Sequence, residues 1–322
     1  MATLNSPQLY RGMGFWNEAT QQGIIDTHFA DAGLGGMGYL AAVEMAKLGV
    51  GHFSLADPEV FDETNIGRVM GATHKSVGQY KVEVCANEIL ENNPDAEITV
   101  FKDGVNEANV KDFLTGAHLV LDATELSMPE LGTMVCREAR RIGAVVLNGE
   151  YLAHAGQVTA FTPDGMTFEK FMGLKGTLDE IKGVSIPPER YMAYLPPYGD
   201  LKTLAAITPP KEDKKNEAQR AQEDDIAPLP SNIIGVGVAT QLVLAEAIKH
   251  IRLRVGEPVF APPVVAPHVQ WLDPSIGRSG HTRHPKLSFY RHAAVMGFNN
   301  LIGHYDRGSY TTSARAARGD IG

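Results

Sequence analysis

The chain has 322 residues, of which 43% are AVILMFWYC and 21% charged, with 33 glycines and 7% aromatic residues. That length suffices for one large α/β domain or two smaller ones whose core needs no staples. Lys and Arg number 29 against 38 Asp and Glu, a formal charge of −9, which argues against nucleic acid or an anionic membrane as the main partner.

Two cysteines, Cys85 and Cys136, are too few for a disulfide framework or a Cys-based zinc site. The start Met1-Ala2-Thr3-Leu4-Asn5 lacks the basic-then-apolar pattern of a signal peptide, so a soluble, cytoplasmic location is expected. The most apolar stretch, Ile233 to Ile251, carries Gln241, Glu246, Lys249 and His250. Those groups would need partners in hydrocarbon, and no membrane span is expected.

Along the chain, short apolar runs alternate with helical patterns from about residue 25 to 160. A run from Ile24 to Ala32 precedes a helical pattern from Met37 to Leu48; His52 to Ala56 precedes Gly78 to Leu90. Ile98 to Phe101, Leu119 to Asp122 and Ala144 to Leu147 continue the strands, with Val110 to Leu114 and Leu131 to Ile142 between them. Strands so spaced predict right-handed crossovers and a mostly parallel, Rossmann-like α/β sheet with helices on both faces, and a later mixed or antiparallel portion is expected to extend it. From Phe161 to Thr208 the texture turns to Gly, Pro and aromatic residues. Lys211 to Asp225 then holds ten charged residues in fifteen, the composition of a solvated, mobile connection. After it, Ile233, Val236, Val238, Leu242, Leu244, Ile248 and Ile251 mark a long, largely buried helix that Ser231 or Asn232 can cap. Ser275 to Gly322 contains seven Lys or Arg, two Asp and four His, a basic extension. His281-x-x-His284 lies there in a Pro-flanked, non-helical setting that reads against a metal site.

Chemistry first appears at Ala32-Gly33-Leu34-Gly35-Gly36-Met37-Gly38, between a predicted strand and a predicted helix. Gly33 permits a tight turn, Gly35 and Gly36 let backbone approach a phosphate, and Gly38 lets the helix approach the strand. Asp57 ends the next strand, where a carboxylate can accept ribose hydroxyls. These residues indicate a nucleotide. Gly33-x-Gly35-x-x-Gly38 also satisfies the dinucleotide fingerprint, so an NAD- or FAD-dependent oxidoreductase stays open. The bland alternative is a glycine turn that binds nothing.

Downstream stands Leu55-Ala56-Asp57-Pro58-Glu59-Val60-Phe61-Asp62-Glu63-Thr64-Asn65-Ile66-Gly67-Arg68. It resembles the ThiF/MoeB/HesA family of ubiquitin-activating-type adenylating enzymes, whose motif runs Asp-x-Asp-x-Val and then Asn-Leu-x-Arg-Gln. Gly78-Gln79-Tyr80-Lys81 is similar to the family's Gly-x-x-Lys helix start, and Leu121-Asp122-Ala123-Thr124-Glu125 to its strand-end Asp-x-x-Asp-Asn. The likeness covers roughly residues 11 to 150 and continues more weakly through the Ile233 helix. Positions that depart from the pattern are Val69 for Gln, Glu125 for the second Asp and Leu126 for Asn.

The resemblance implies an ATP- and Mg²⁺-dependent adenylyltransferase that activates the C-terminal carboxylate of a ubiquitin-like or sulfur-carrier protein, or of a peptide, as an acyl-adenylate. By the same resemblance Arg68 and Lys81 contact the triphosphate, Asn65 helps position it, and Glu125 with Asp122 lies where Mg²⁺ is held. Arg11, preceded by Tyr10 and followed by Gly14-Phe15-Trp16, matches an entry segment whose Arg reaches the other subunit's nucleotide, so a homodimer is implied. The expected organisation is an N-terminal segment over 1–24, an adenylation domain over 25–272 with a variable crossover at about 161–230, and the basic extension over 273–322. No cysteine follows residue 136, and Cys85 and Cys136 fall in apolar helical patterns. They read as core residues, so no thioester on the chain itself is expected. A non-catalytic binding module on the same fold, motivated by Val69, Glu125 and Leu126, stays open beside the enzyme.

Overall fold

Asn17 opens the first helix by accepting a hydrogen bond from the Thr20 amide at 2.9 Å, and Glu18 follows where the helix dipole favours an acid. That helix, α1 (Glu18–Ile25), absorbs Ile24 and Ile25, so the strand expected from Ile24 starts later, as β1 (His28–Ala32). This computed structural model describes residue 4 and residues 6–198, 231–283 and 285–301. The charged stretch from Lys211 to Asp225, His284 and residues 302–322 lie outside the described residues.

The alternation continues through α2 (Gly36–Leu48), β2 (His52–Ala56), α3 (Lys81–Asn92), β3 (Glu97–Phe101), α4 (Val110–Phe113), β4 (Leu119–Asp122), α5 (Pro129–Ile142) and β5 (Val145–Leu152). These strands are parallel in the order β3-β2-β1-β4-β5. Winding therefore reverses between β1 and β4, and the crevice at the carboxyl ends of those two strands is where open α/β sheets take ligands. Side-chain alternation divides the core by face. Phe29, Phe53, Leu55, Leu121 and Leu147 meet Tyr39 and Met45 of α2 and Val82, Cys85 and Ile89 of α3. Ala30, Val120 and Val146 meet Phe113, Val135 and Ala139 on the other face.

β5 runs past the expected Ala144–Leu147 because it gains an antiparallel partner, β6 (Ala155–Phe161), across a turn in which Ala153 has φ 54°. Short helices α6 (Phe168–Met172), α7 (Leu178–Ile181) and α8 (Pro188–Tyr191) follow. The expected long helix is α9 (Ile233–Arg254), whose N-cap Asn232 accepts from the Ile234 and Gly235 amides at 2.9 and 3.1 Å. By length and composition α9 could cross a membrane. It packs instead on the sheet: a Cβ at Gly156 would come within 2.4 Å of Ala239 backbone, and Val243 and Ala247 are fully buried. Buried Glu246 in α9 accepts from the Val264 amide at 2.8 Å. β7 (Val269–Asp273) and β8 (Arg278–Thr282) extend the sheet antiparallel, so part of the expected basic extension is its edge strand, followed by α10 (Pro285–Leu301).

Register also aligns three histidines at the amino edge of the sheet. His28 and His52 are partners with ring centroids 6.1 Å apart, the His28 amide donates to His118 Nδ1 at 3.0 Å, and His28 Nε2 lies 2.9 Å from Ser54 Oγ. Burial first, then His52 and His118, lowers the His28 pKa to about 4. The unfolded chain binds a proton near the ordinary value of about 6.5. His28 therefore contributes stability above that value, and the contribution is lost as pH falls from about 6.5 to about 4. We expect urea unfolding to show roughly 2 kcal/mol of extra destabilisation over that window after allowance for partial exposure. His28→Gln should flatten the slope; an unchanged slope would remove His28 as its source.

Candidate functional site

Four glycines shape the turn between β1 and α2, each for its own reason. Gly33 has φ 113°, and a Cβ there would lie 2.4 Å from the Ala123 carbonyl oxygen, so the turn packs directly on the loop after β4. A Cβ at Gly38 would fall 1.9 Å from the Gly33 carbonyl oxygen. At Gly36 it would meet Val236 Cγ2 at 2.7 Å, the Arg68 carbonyl oxygen at 3.1 Å and the Tyr151 hydroxyl at 3.2 Å. At Gly35 it would meet nothing within 4 Å. Gly35 is also the N-cap of α2 and supplies no side-chain acceptor, which leaves the first-turn amides to an anion approaching the bare side of the turn.

On the β2 side, Asp57 is 6% exposed and grips the turn: Oδ2 accepts from the Leu34 amide at 2.7 Å and Oδ1 from the Glu59 amide at 2.8 Å. Burial raises its pKa, while nearby Lys81 opposes the shift. Lys81 is the first residue of α3. Gly78 (φ 86°) makes the turn before it, so the helix starts later than the expected Gly78. The Lys81 side chain is buried to 6% exposure and its ammonium pairs with the Glu59 carboxylate. It is thus a buried cation held beside Asp57 and joined to solvent through Glu59.

Asn65 is buried and its Oδ1 accepts from the Asp62 amide at 3.4 Å, capping the short 3-10 turn Glu63–Asn65. Arg68 presents its carbonyl to Gly36 and turns its guanidinium onto the Thr64 carbonyl oxygen at 2.7 Å. Val69, where the family motif has Gln, is buried in the core. Asp122 closes β4 at 3% exposure, its Oδ1 accepting from the Thr124 amide at 3.2 Å and the Thr124 hydroxyl at 2.7 Å; burial raises its pKa. Glu125 is exposed and accepts from Ser127 Oγ at 2.9 Å. The two carboxylates therefore occupy one loop but different environments. Among the described residues, no group of three or more His, Cys, Asp or Glu side chains is arranged to hold a metal. Leu126 packs on the second core, and Arg11 is exposed between Tyr10 and Phe15, each 78% exposed. Cys85 and Cys136 are buried, and burial pushes both thiols well up, away from thiolate reactivity.

Three residues of this region escape a sequence reading. Asp31 in β1 is fully buried and neither carboxyl oxygen has a hydrogen-bond partner. Burial first, then Asp57 and Asp122, raises its pKa well above its ordinary value, which disfavours the charged form in the folded chain. A raised folded pKa makes stability fall as pH rises past the unfolded value. Asp31→Val, which removes an unsatisfied acid from an apolar face, should raise stability at pH 7 by about 2 kcal/mol in urea unfolding. A destabilised variant would mean that the carboxyl has a partner. The linear signal was there: one acid inside a strand covered on both faces. Glu150 in β5, raised to about 8 by burial and then by Asp122, and Tyr151 had no such signal, since their neighbours come from distant segments.

The ThiF family model matches residues 8–265 of the chain. Among curated relatives, the tRNA threonylcarbamoyladenosine dehydratase of Escherichia coli (strain K12) is 31% identical over 135 residues, 42% of this chain and 50% of that protein. The sulfur carrier protein ThiS adenylyltransferase of the same organism is 28% identical over 148 residues, 44% of this chain and 56% of that one. The molybdopterin-synthase adenylyltransferase of Salmonella typhimurium is 29% identical over 163 residues, 50% and 63% of the two chains. The chain thus spans about half the length of the curated relatives it matches. Among solved structures, PaaA superposes with a TM-score of 0.61 at 14% identity over 88% of this chain and 76% of that one. E. coli MccB with ATP gives 0.59 at 15% identity over 87% and 72%. At such identities the likeness is one of fold.

Proposed function

The chain belongs to the ThiF family, and from that premise we propose that it is an ATP-dependent adenylyltransferase activating the terminal carboxylate of a ubiquitin-like or sulfur-carrier protein or of a peptide. The observation that carries this is the open backbone at Gly35, flanked by the buried Asp57 and Lys81. A nucleotide fits there: a side chain would fill the space that Gly35 leaves, the α2 amides face an anion, and Asp57 stands where ribose hydroxyls can donate to it. Asp122 and Glu125 supply hard oxygen donors of the kind Mg²⁺ accepts alongside phosphate oxygens; when bound, the ion offsets charge that builds on those oxygens.

The chain's own cations serve the same end. An acceptor carboxylate oxygen bonds to the α-phosphorus while the bond to the β-phosphate bridging oxygen breaks, and the departing pyrophosphate carries off the electron pair. Lys81 is held ready as a compact charge, and Arg68 can leave the Thr64 carbonyl to offer a planar fork of donors. The two buried thiols leave the acyl group on adenylate for an external acceptor. Arg11, exposed near the N-terminus, is proposed to reach the nucleotide across a homodimer. The charge of −9 favours a polypeptide over a nucleic acid as the molecule activated.

ATP–pyrophosphate exchange with candidate carboxylates tests this, including small modifier proteins encoded nearby and short peptides. Exchange that requires an acceptor and Mg²⁺ is expected. Exchange indifferent to both Lys81→Ala and Arg68→Ala would defeat the site assignment, and a purified protein carrying nicotinamide or flavin absorbance would favour the oxidoreductase.

A further inference from the structure

The glycine turn has two flanks, and the buried cation stands on only one of them. Asp57 and Lys81 stand on the β2 side. Strand order places β4 and then β5 on the opposite side of β1. Along β5, Leu147, Gly149 and Tyr151 alternate onto the face of α2 and α9: Leu147 belongs to that core, and a Cβ at Gly149 would meet Met37 Sδ at 2.5 Å and Val243 Cγ2 at 2.8 Å. Tyr151 is next in the alternation, where β5 has outrun the parallel ladder and pairs only with β6. Its ring packs on the core and its hydroxyl emerges 3.2 Å from the point a Gly36 Cβ would occupy.

Two further groups complete this flank. Ser231 Oγ lies 3.4 Å from the Tyr151 hydroxyl, directly before the Asn232 cap of α9. Val236 of α9 comes within 2.7 Å of the same Gly36 point. Beside Gly36 this flank therefore offers two hydroxyls and an apolar side chain, with the acids Asp122 and Glu125 behind them at the end of β4, whereas the cation Lys81 stands on the β2 side. A phenol hydroxyl has one proton to donate, and a neighbouring serine sets where it points.

Resting on the adenylation reading, we propose that Tyr151 binds the acceptor, its hydroxyl donating a hydrogen bond to the attacking carboxylate at the β5 flank of the turn while Ser231 orients that hydroxyl. The division of labour follows from charge. Phosphate oxygens gather negative charge as pyrophosphate leaves and need cations, which stand on the β2 side. The attacking carboxylate has to be oriented without being neutralised, because pairing with a cation would blunt the oxygen that must form the new bond. A neutral donor does this. The Tyr151 proton stays on its own oxygen throughout, so the only bonds exchanged are the new carboxylate oxygen–α-phosphorus bond and the broken link to pyrophosphate.

Isothermal titration separates the contributions, with ATP, AMP and a glycylglycyl sulfamoyl-adenosine, a stable stand-in for an acyl-adenylate, as probes. The wild-type protein should bind ATP, and should bind the sulfamoyl compound more tightly than AMP. Tyr151→Phe, which keeps the packed ring, should lose about tenfold of the sulfamoyl compound's advantage over AMP, the scale of one hydrogen bond to a charged group, while its ATP affinity stays within about twofold of wild type. Ser231→Ala should lose less, about threefold. Equal losses for ATP and the sulfamoyl compound, or no loss for either, would overturn the assignment of Tyr151 while leaving adenylation standing. A wild-type protein that binds no ATP would overturn the adenylation reading and this inference with it.

Discussion

Alanine at position 38 should cost the fold on the order of 3 kcal/mol or more, a large share of an ordinary domain's stability of about 5–15 kcal/mol. The added carbon would sit 1.9 Å from the Gly33 carbonyl oxygen, 3.1 Å from its carbon and 2.9 Å from Asp31 Oδ1. Two of those atoms are backbone in a turn already pressed against Ala123, so the clash is relieved only by parting α2 from β1. Gly35→Ala gives the contrast. Its methyl group meets no protein atom within 4 Å and the backbone there has φ −70°, so the unfolding midpoint should stay at the wild-type value while ATP affinity falls. Urea unfolding and ATP titration of both variants decide the matter. A stable Gly38→Ala protein would contradict the turn geometry, and normal ATP binding by Gly35→Ala would place the nucleotide elsewhere.

Lys81→Ala should slow ATP–pyrophosphate exchange by about 30- to 1,000-fold, equivalent to ~2–4 kcal/mol of transition-state stabilisation. Stability should change less than exchange, because the orphaned Glu59 is 61% exposed on its side chain and stays hydrated, so the loss comes chiefly from the buried Lys81 stem, whose side chain is 6% exposed. Lys81→Met retains the buried stem and removes only the charge, so it should match Lys81→Ala in exchange and approach wild type in unfolding. Arg68→Ala should do less damage than either, since that guanidinium rests on the Thr64 carbonyl and must move to reach a phosphate. Exchange at the wild-type rate in both Lys81 variants would remove the cation from the mechanism.

Sequence legibility follows how far apart the interacting residues lie. The β1–turn–α2 unit was readable because Gly33, Gly35, Gly36 and Gly38 act within a single turn of chain, and α9 because its apolar period repeats along one helix. Asp57, Asn65, Arg68, Lys81 and Asp122 were recognisable as an ordered set of motifs, and the structure places all five on loops or element ends at the carboxyl side of the sheet. Boundaries were less legible. Ile24 and Ile25 continue the apolar run that leads into β1, yet they are buried from a helix that Asn17 starts. β5 passes beyond Leu147 through Asn148, Gly149 and Glu150, residues that end an apolar pattern but still pair with β6.

By itself, the amino-acid sequence determined the parallel α/β half, the glycine turn between β1 and α2, the acid at the end of β2 and the absence of any cysteine after residue 136. Only the tertiary structure decided that Lys81 is buried against Glu59, that Asp31 lies unpaired beneath Gly38, that Asp122 and Glu125 face different surroundings, and that Tyr151 reaches Gly36. Turn and helix chemistry is set by neighbours a few residues away, whereas each of these contacts depends on how separate segments pack and align, which no local pattern encodes.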